Sequence, residues 1–139
     1  MQGLDAAPRG RPLVILYNRV STEEQASGEG VGRQRMNAEK YCVANRITAD
    51  ALLEDTGYSA YTGDHLKRGQ LGRILMEISN GRILPGSTLI IESLDRISRQ
   101  QPFEALKLFF QILEKDVTIV TSIDGHRYTT DGNSVDRML

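Results

Sequence analysis

The stretch that decides the fold is LVILYNRVS, residues 13–21. Its first five residues are apolar and rich in strand-forming side chains, so they predict a buried β-strand. The chain continues from this strand directly through Arg19 to Ser21. An arginine at the end of a buried strand needs a reason, because a buried charge is costly unless it meets a partner.

Three further strand-like runs alternate with helix-like segments along the rest of the chain. The predicted strands cover residues 13–20, 50–54, 87–92 and 117–123, and the predicted helices cover about 30–46, 69–80 and 102–115. Strands that alternate with helices pair in parallel through crossover connections. The pattern therefore predicts an α/β fold of three layers, α/β/α, with a mainly parallel central sheet.

Size and charge narrow the class of protein. A chain of 139 residues can bury the core of one domain without disulfides. The single cysteine, Cys42, has no partner within the chain, which is typical of a reducing cytoplasm. The formal net charge of −1 argues against a free-standing module that binds DNA by phosphate attraction alone. Any contact with nucleic acid therefore requires a local basic cluster.

The sequence indicates neither a membrane segment nor a metal site. No apolar run approaches the length of a membrane span, and no hydrophobic stretch near the start could act as a signal peptide. We expect residues 1–12 to form a flexible lead-in to a domain that covers residues 13–139. His65 and His126 lie far apart without a nearby ligand pattern, so we expect no metal.

Two helical segments carry additional information. The helix predicted at 102–115 confines its polar residues to one narrow stripe, so we expect it to pack on more than one side. The final segment, DGNSVDRML, offers a helix N-cap at Asn133 or Ser134 and then begins an apolar pattern. We expect this chain to be truncated at the start of a further helix.

A second cluster of candidate residues follows the third predicted strand. The segment SLDRISR, residues 93–99, contains Asp95, Arg96 and Arg99. Open α/β sheets bind ligands at the carboxyl ends of parallel strands, and Ser21 lies at the equivalent end of the first strand. Helical spacing puts the two arginines on one face, where both guanidinium groups can grip one anion.

Structural interpretations of the same residues remain open at this point. Ser21 with Glu24, or Thr22 with Gln25, also fits the capping box of a helix start. The segment DRISR also fits a solvated turn that opens a helix. The stretch GEGVGR, residues 28–33, is interpreted as a loop and not as a nucleotide cradle, because it lacks the last glycine of G-x-G-x-x-G.

A serine flanked by several arginines and one carboxylate favours phosphoryl transfer through a covalent phosphoserine. Guanidinium groups match phosphate oxygens in shape and offset the charge of the transition state, so the reaction needs no metal. A phosphatase, a kinase or a DNA strand-transfer enzyme could use such a site.

Four blocks of the sequence together resemble a known family. In order, they are YNRVSTEEQ, Gln34, EDTGYSAYTGDHLKRGQLGRIL and LDRISR. Their order and spacing resemble the catalytic domain of the serine recombinases, the family of resolvases, invertases and large phage integrases, over about residues 13–135. The resemblance implies a resolvase-like domain that cleaves and rejoins double-stranded DNA at specific sites, without metal, ATP or another cofactor.

The resemblance also implies a role for each matching residue. Ser21 matches the nucleophile, which leaves a 5′-phosphoserine bond and a free 3′ hydroxyl. The residues that match the phosphate-holding arginines and their neighbouring carboxylate are Arg19, Arg68, Asp95, Arg96 and Arg99. The polar positions that line or support the site are matched by Tyr17, Gln25, Gln34, Asp55 and Ser59.

The family resemblance also implies an assembly, and this sequence differs from family members at two positions. It implies a homodimer on each DNA site, a tetramer at synapsis, and a separate C-terminal DNA-binding region that follows a long dimerisation helix beginning near residue 134. Members commonly have glycine after the serine that Ser59 matches, where this chain has Ala60. Some members have a basic residue near the position of Glu77.

Two other functions remain as alternatives to the recombinase. A catalytically inactive recombinase-like domain could bind DNA or a partner and regulate it, although an inactive site usually loses some of its residues. A small-molecule phosphate-binding domain would bind a nucleotide tightly in isolation. The recombinase hypothesis predicts a bacterial or phage-encoded protein that acts in the cytoplasm, associated with the nucleoid, with no membrane partner.

Overall fold

The computed structural model describes residues 3–20, 30–56, 69–93 and 102–130. A short 3-10 helix, Leu4–Ala6, precedes the first strand, β1, Val14–Val20. The elements that follow are α1 (Gly30–Ala44), β2 (Ala51–Thr56), α2 (Gln70–Ser79), β3 (Thr88–Ile91), α3 (Pro102–Glu114), β4 (Thr118–Thr121) and β5 (His126–Tyr128). The C-terminal helix predicted from residue 134 lies outside the described residues.

The strands form one sheet in the order β2-β1-β3-β4-β5. The pairs among β1, β2, β3 and β4 are parallel, whereas β5 pairs antiparallel with β4. The predicted mainly parallel sheet is therefore confirmed. The sequence analysis did not predict β5, which has three residues and no buried side chain to create an apolar run.

Two hydrophobic clusters cover the two faces of the sheet. On one face, β1 contributes Ile15 and Tyr17 to a cluster with the buried sides of α2 and α3. On the other face, Leu16 packs with Ala38, Tyr41 and other buried residues of α1 and the central strands. Successive side chains of a strand point to opposite faces, so a central strand covered by helices on both sides is apolar throughout. This explains the continuous run LVILY and confirms the three layers.

The apolar residues of α2 recur at i, i+3, i+4 and i+7, a spacing that predicts one apolar side, and this side faces the core. Leu71, Ile74 and Ile78 are buried, and Leu75 packs against the same cluster at a partly buried position. Gly81 follows the helix with a φ of +81°, a backbone conformation that residues with side chains rarely adopt. This glycine therefore suits the turn that ends the helix.

The segment before β1 differs from the flexible lead-in that the sequence predicts. Over the described residues 3–12, Leu4 and Ala7 are buried in the same cluster as α2. The guanidinium group of Arg82 donates hydrogen bonds to the backbone carbonyls of Leu4, Ala7 and Pro8 at 3.0, 3.1 and 3.3 Å. Local composition could not predict this packing, because Arg82, which binds the segment, lies more than 70 residues away in the sequence.

The helix α3 also differs in part from expectation. Phe109, Ile112 and Leu113 are buried against the sheet, but Phe103 and Leu106 are exposed, Phe103 at 85%. The described side chains therefore pack mainly on one side, instead of the several sides that its composition predicts. Among the described residues, no helix combines the length and apolar character needed to cross a membrane.

Candidate functional site

The strand order creates a crevice between the carboxyl ends of β1 and β3. The strand β2 lies on one side of β1, and β3 lies on its other side. The chain connections that lead to these two strands therefore run in opposite directions along the sheet. Ligands of open α/β sheets bind at such a switch point. The strand β1 continues to Val20, but its ladder with β3 covers only residues 14–16. The end of β1 is thus left without a neighbouring strand on the β3 side.

The side chain of Gln34 fills this gap in the ladder. The backbone carbonyl of Leu13 points towards β3, where it accepts a hydrogen bond from the N–H of Thr88. The N–H and C=O groups of successive residues point to alternate sides of a strand, so those of Arg19 also point towards β3. The N–H of Arg19 donates to Oε1 of Gln34 at 3.1 Å. Nε2 of Gln34 donates to the carbonyl of Arg19 at 2.8 Å. One buried amide therefore satisfies both backbone groups of Arg19.

Asp55 forms a second buried polar centre, on β2 directly beside Arg19 in the register. Its carboxylate accepts hydrogen bonds from the hydroxyl of Tyr17 at 2.8 Å and from the backbone N–H groups of Gln70 and Leu71 at 2.7 and 3.2 Å. The last two N–H groups have no partner within the helix because they lie at the start of α2, where the helix dipole favours a negative charge. Asp55 thus caps α2 from a neighbouring strand and fixes where the helix begins.

Gly69 is required by this cap. A Cβ atom built on Gly69 would lie 2.6 and 2.7 Å from the two carboxylate oxygens of Asp55, closer than real contacts allow. The backbone of Gly69 is extended, with φ −95° and ψ −171°, so the requirement is one of space and not of backbone strain. The sequence analysis did not identify this residue, because a glycine before a helix has many possible causes.

The opposite face of the sheet carries a separate charged group. Glu54 accepts hydrogen bonds from Nδ2 of Asn18 at 3.1 Å and from Nε of Arg35 at 2.9 Å, and it forms an ion pair with Arg35. Burial raises the pKa of the Glu54 carboxyl, but hydrogen bonds from Arg35 and Asn18 and the charge of Arg35 lower it by more, so this pKa lies below its ordinary value. This group joins α1 to β2 and lies outside the crevice.

No group that could hold a metal is found in the described part of the chain, where three or more His, Cys, Asp or Glu side chains never come together. Of the two polar centres, the one around Arg19 lies at the crevice, and the one around Asp55 lies beside it, on the β2 side of β1. The hydrogen bonds of Gln34 fix the backbone of Arg19, and those of Asp55 fix Tyr17 and the start of α2.

Comparisons with known proteins give the chain a family. Residues 14–139 match the sequence family described as "Resolvase, N terminal domain". The chain belongs to the resolvase family. An Escherichia coli (strain K12) relative, "Uncharacterized protein YbcK", is 39% identical over 119 residues, which cover 84% of this chain but only 23% of YbcK.

Solved structures support the resolvase fold. The N-terminal catalytic domain of TP901-1 integrase is 23% identical, covers 90% of this chain and 87% of its own, and superposes with a TM-score of 0.68. A resolvase-family site-specific recombinase from Streptococcus pneumoniae is 20% identical and superposes with a TM-score of 0.64. The match covers 92% of this chain and 83% of the recombinase chain. The predicted family and the predicted resolvase-like catalytic-domain fold are therefore confirmed.

The structure brings together four of the residues predicted for this resolvase-family site. Tyr17, Arg19 and Asp55 are each at most 2% exposed, and Gln34 is 1% exposed. They form two hydrogen-bonded pairs, Gln34 with the backbone of Arg19 and Asp55 with Tyr17, on neighbouring strands near the ends of β1 and β2. The other seven predicted site residues lie outside the described residues: Ser21, Gln25, Ser59, Arg68, Asp95, Arg96 and Arg99.

The described candidate residues fix neighbouring groups by hydrogen bonds. Gln34 and Asp55, which the family resemblance assigns to lining and supporting the site, direct their hydrogen bonds to the backbone of Arg19, to Tyr17 and to the start of α2. The sequence analysis could not find these pairings. The sequence analysis also overlooked Glu92, a charged residue directly after the apolar strand β3.

Proposed function

We propose that this domain cleaves and rejoins DNA at specific sites through a covalent phosphoserine at Ser21. The observation that carries the proposal is the arrangement of Arg19 at the switch-point crevice. This arginine is 2% exposed, and Gln34 holds its backbone at the end of β1, two residues before Ser21. Membership of the resolvase family supports the same function.

The proposed reaction exchanges one phosphodiester for another. Oγ of Ser21 attacks the phosphorus of the DNA backbone, a serine–phosphate bond forms, and the bond to the 3′ oxygen breaks. A base accepts the serine proton, and an acid donates a proton to the departing 3′ oxygen, which leaves as a hydroxyl. In rejoining, a 3′ hydroxyl attacks the phosphoserine and releases the serine, so no ATP is consumed.

The arginines of the proposed site stabilise the phosphate as charge develops on it. We assign this role to Arg19, Arg68, Arg96 and Arg99, with Asp95 beside them. Guanidinium groups match phosphate oxygens with paired hydrogen bonds and stay protonated. Tyr17, Gln25, Gln34, Asp55 and Ser59 line or position this group. Since DNA is the proposed substrate, we also propose that the protein acts in the cytoplasm, at the nucleoid.

We further propose that the protein works as a homodimer on each DNA site and as a tetramer when two sites meet. The exposed side chains of Phe103 and Leu106 on α3 support an additional contact, because large apolar side chains at the surface often mark an interface. Sedimentation with a DNA fragment carrying one site tests this assembly. A complex of one protein chain per site would overturn it.

The experiment that tests the chemistry uses the full protein that contains this domain. The protein is incubated with fragmented host DNA, and covalent adducts are captured, sequenced and mapped to the attached residue. We expect an adduct at Ser21 that disappears in Ser21→Ala and persists in Thr22→Ala, which removes the neighbouring hydroxyl.

Nicked substrates, which trap the cleaved state, extend the same test. If the protein binds DNA but forms no adduct even on nicked sites, the proposed chemistry is wrong. That outcome would favour the inactive regulatory domain. Tight binding of a nucleotide, without DNA binding, would instead favour the small-molecule phosphate-binding domain.

A further inference from the structure

Three consecutive residues of α1 contact three neighbouring strands or their ends. Gln34 binds the backbone of Arg19 on β1, and Arg35 binds Glu54 on β2. Arg33 binds Glu92, which directly follows β3. Because consecutive helix residues point about 100° apart, the first turns of α1 reach across the carboxyl edge of the sheet. Of the three contacts, only the one from Arg33 reaches the β3 side of the crevice.

The other partner of this contact, Glu92, is held in place by its burial and by a backbone hydrogen bond. The residue is 5% exposed, and its backbone carbonyl accepts a hydrogen bond from Ile123 at 3.1 Å, beyond the end of β4. Its two carboxylate oxygens accept from Nη2 of Arg33 at 3.1 Å and from Nε at 3.4 Å. A buried carboxylate requires such a partner, and a two-point contact defines the orientation of the guanidinium plane.

The chain on both sides of this ion pair carries the residues of the proposed reaction. Ser21 precedes α1 and follows β1 directly, whereas Asp95 and Arg96 follow Glu92 by three and four positions. The Arg33–Glu92 pair therefore joins the helix that follows the nucleophile to the strand end that leads to the phosphate-holding arginine.

We propose that the Arg33–Glu92 ion pair is a positioning contact for DNA cleavage, which sets the distance between the chain that carries Ser21 and the chain that carries Asp95 and Arg96. This inference rests on the proposed function. Neither residue touches the DNA in this role. Misplacing reacting groups by about 1 Å costs up to about 100-fold in rate, so a small shift of α1 relative to β3 is sufficient.

The test replaces the pair by apolar side chains in the full protein. The double variant Arg33→Leu with Glu92→Met removes the link without leaving a buried carboxylate unpaired, so it avoids the main cause of unfolding in Arg33→Leu alone. Using the DNA site recovered from adduct mapping, we expect the rate of adduct formation at saturating DNA to fall about 10- to 100-fold. The dissociation constant for DNA should change by less than about threefold, because the phosphate contacts are kept.

A second ion pair on the same helix serves as the matched control. The side chains of Arg35 and Arg33 are 51% and 50% exposed, but Arg35 binds Glu54 on β2 and not the end of β3. The double variant Arg35→Leu with Glu54→Met should keep the adduct rate within about threefold of the wild type, since it leaves the β3 side of the crevice intact. Arg33→Lys, which keeps the charge, should recover most of the rate.

Each result has a defined meaning. A slow adduct rate in the Arg33 and Glu92 double variant, with normal DNA binding, a normal melting temperature and recovery in Arg33→Lys, supports the positioning contact. Equal losses in the two double variants would show a general weakening of α1 and overturn it, and so would a normal rate in both. If the wild type forms no adduct at Ser21, the proposed function fails, and the positioning contact fails with it.

Discussion

At the scale of single residues, Asp55 and Gly69 depend on each other. We expect Gly69→Ala to destabilise the protein by about 2–3 kcal/mol, because the added methyl group displaces a buried carboxylate that accepts three hydrogen bonds. Urea denaturation measures the change. Gly32→Ala in α1, where a Cβ meets nothing within 4 Å, is the control and should stabilise the helix by about 0.5–1 kcal/mol. Equal midpoints for wild type and Gly69→Ala would contradict the proposed cap.

The Glu54 carboxyl gives a residue-scale prediction about pH. Its pKa in the folded protein lies below the ordinary value, so the native state stabilises the charged form. The stabilisation is present above the pKa of the unfolded chain, about 4.3, and is lost as the pH falls through the lower folded pKa. We expect Glu54→Gln to be less stable than wild type at pH 7 and to approach it at pH 3 in urea denaturation.

The partner of Glu54 provides the cross-check. Arg35→Gln removes the hydrogen bond and the positive charge that lower the pKa, so it should abolish most of the same acid-dependent difference. A stability difference between wild type and Glu54→Gln that stays constant from pH 7 to pH 3 would show that the charge of Glu54 does not stabilise the fold.

At the scale of elements, the packed N-terminal segment acts as part of the domain. Leu4 is 1% exposed and belongs to the cluster of α2, and its carbonyl accepts a hydrogen bond from Arg82. We expect Leu4→Ala to lower the free energy of unfolding by about 2–4 kcal/mol, as for other buried leucines. Met36→Ala, at a side chain that is 56% exposed, should change it by less than about 0.5 kcal/mol. If the two variants unfold alike, the segment does not contribute to the core.

At the scale of the whole molecule, one sheet joins the two hydrophobic clusters. The strand β1 contributes Tyr17 to one cluster and Leu16 to the other, so neither face can lose its packing without disturbing the same strand. We expect a single cooperative transition, as is usual for a domain of this size. Urea titrations followed by far-ultraviolet circular dichroism and by tyrosine fluorescence should coincide. An earlier transition in one signal would show that the domain does not unfold in a single step.

The elements of the fold follow from local patterns. The apolar run of β1 predicts a strand buried on both faces, and the stripe of Leu71, Ile74 and Ile78 predicts which side of α2 meets the sheet. The helix and strand bounds differ from expectation by a few residues, because element ends depend on caps. The extra strand β5 and the packed N-terminal segment were not predicted, because no periodic pattern in the sequence indicates the contacts that stabilise them.

The sequence likewise predicted one part of the candidate site, its residues, but not the contacts among them. Residue types and the order of four blocks were sufficient to predict the family and to select Tyr17, Arg19, Gln34 and Asp55 as candidates. Their partners could not be read from the chain, because Gln34 lies 15 residues from the backbone that it binds, and Arg33 lies 59 residues from Glu92. Periodicity reports which side of an element is apolar. Which polar groups meet depends on which strands become neighbours, and only the tertiary structure decides that.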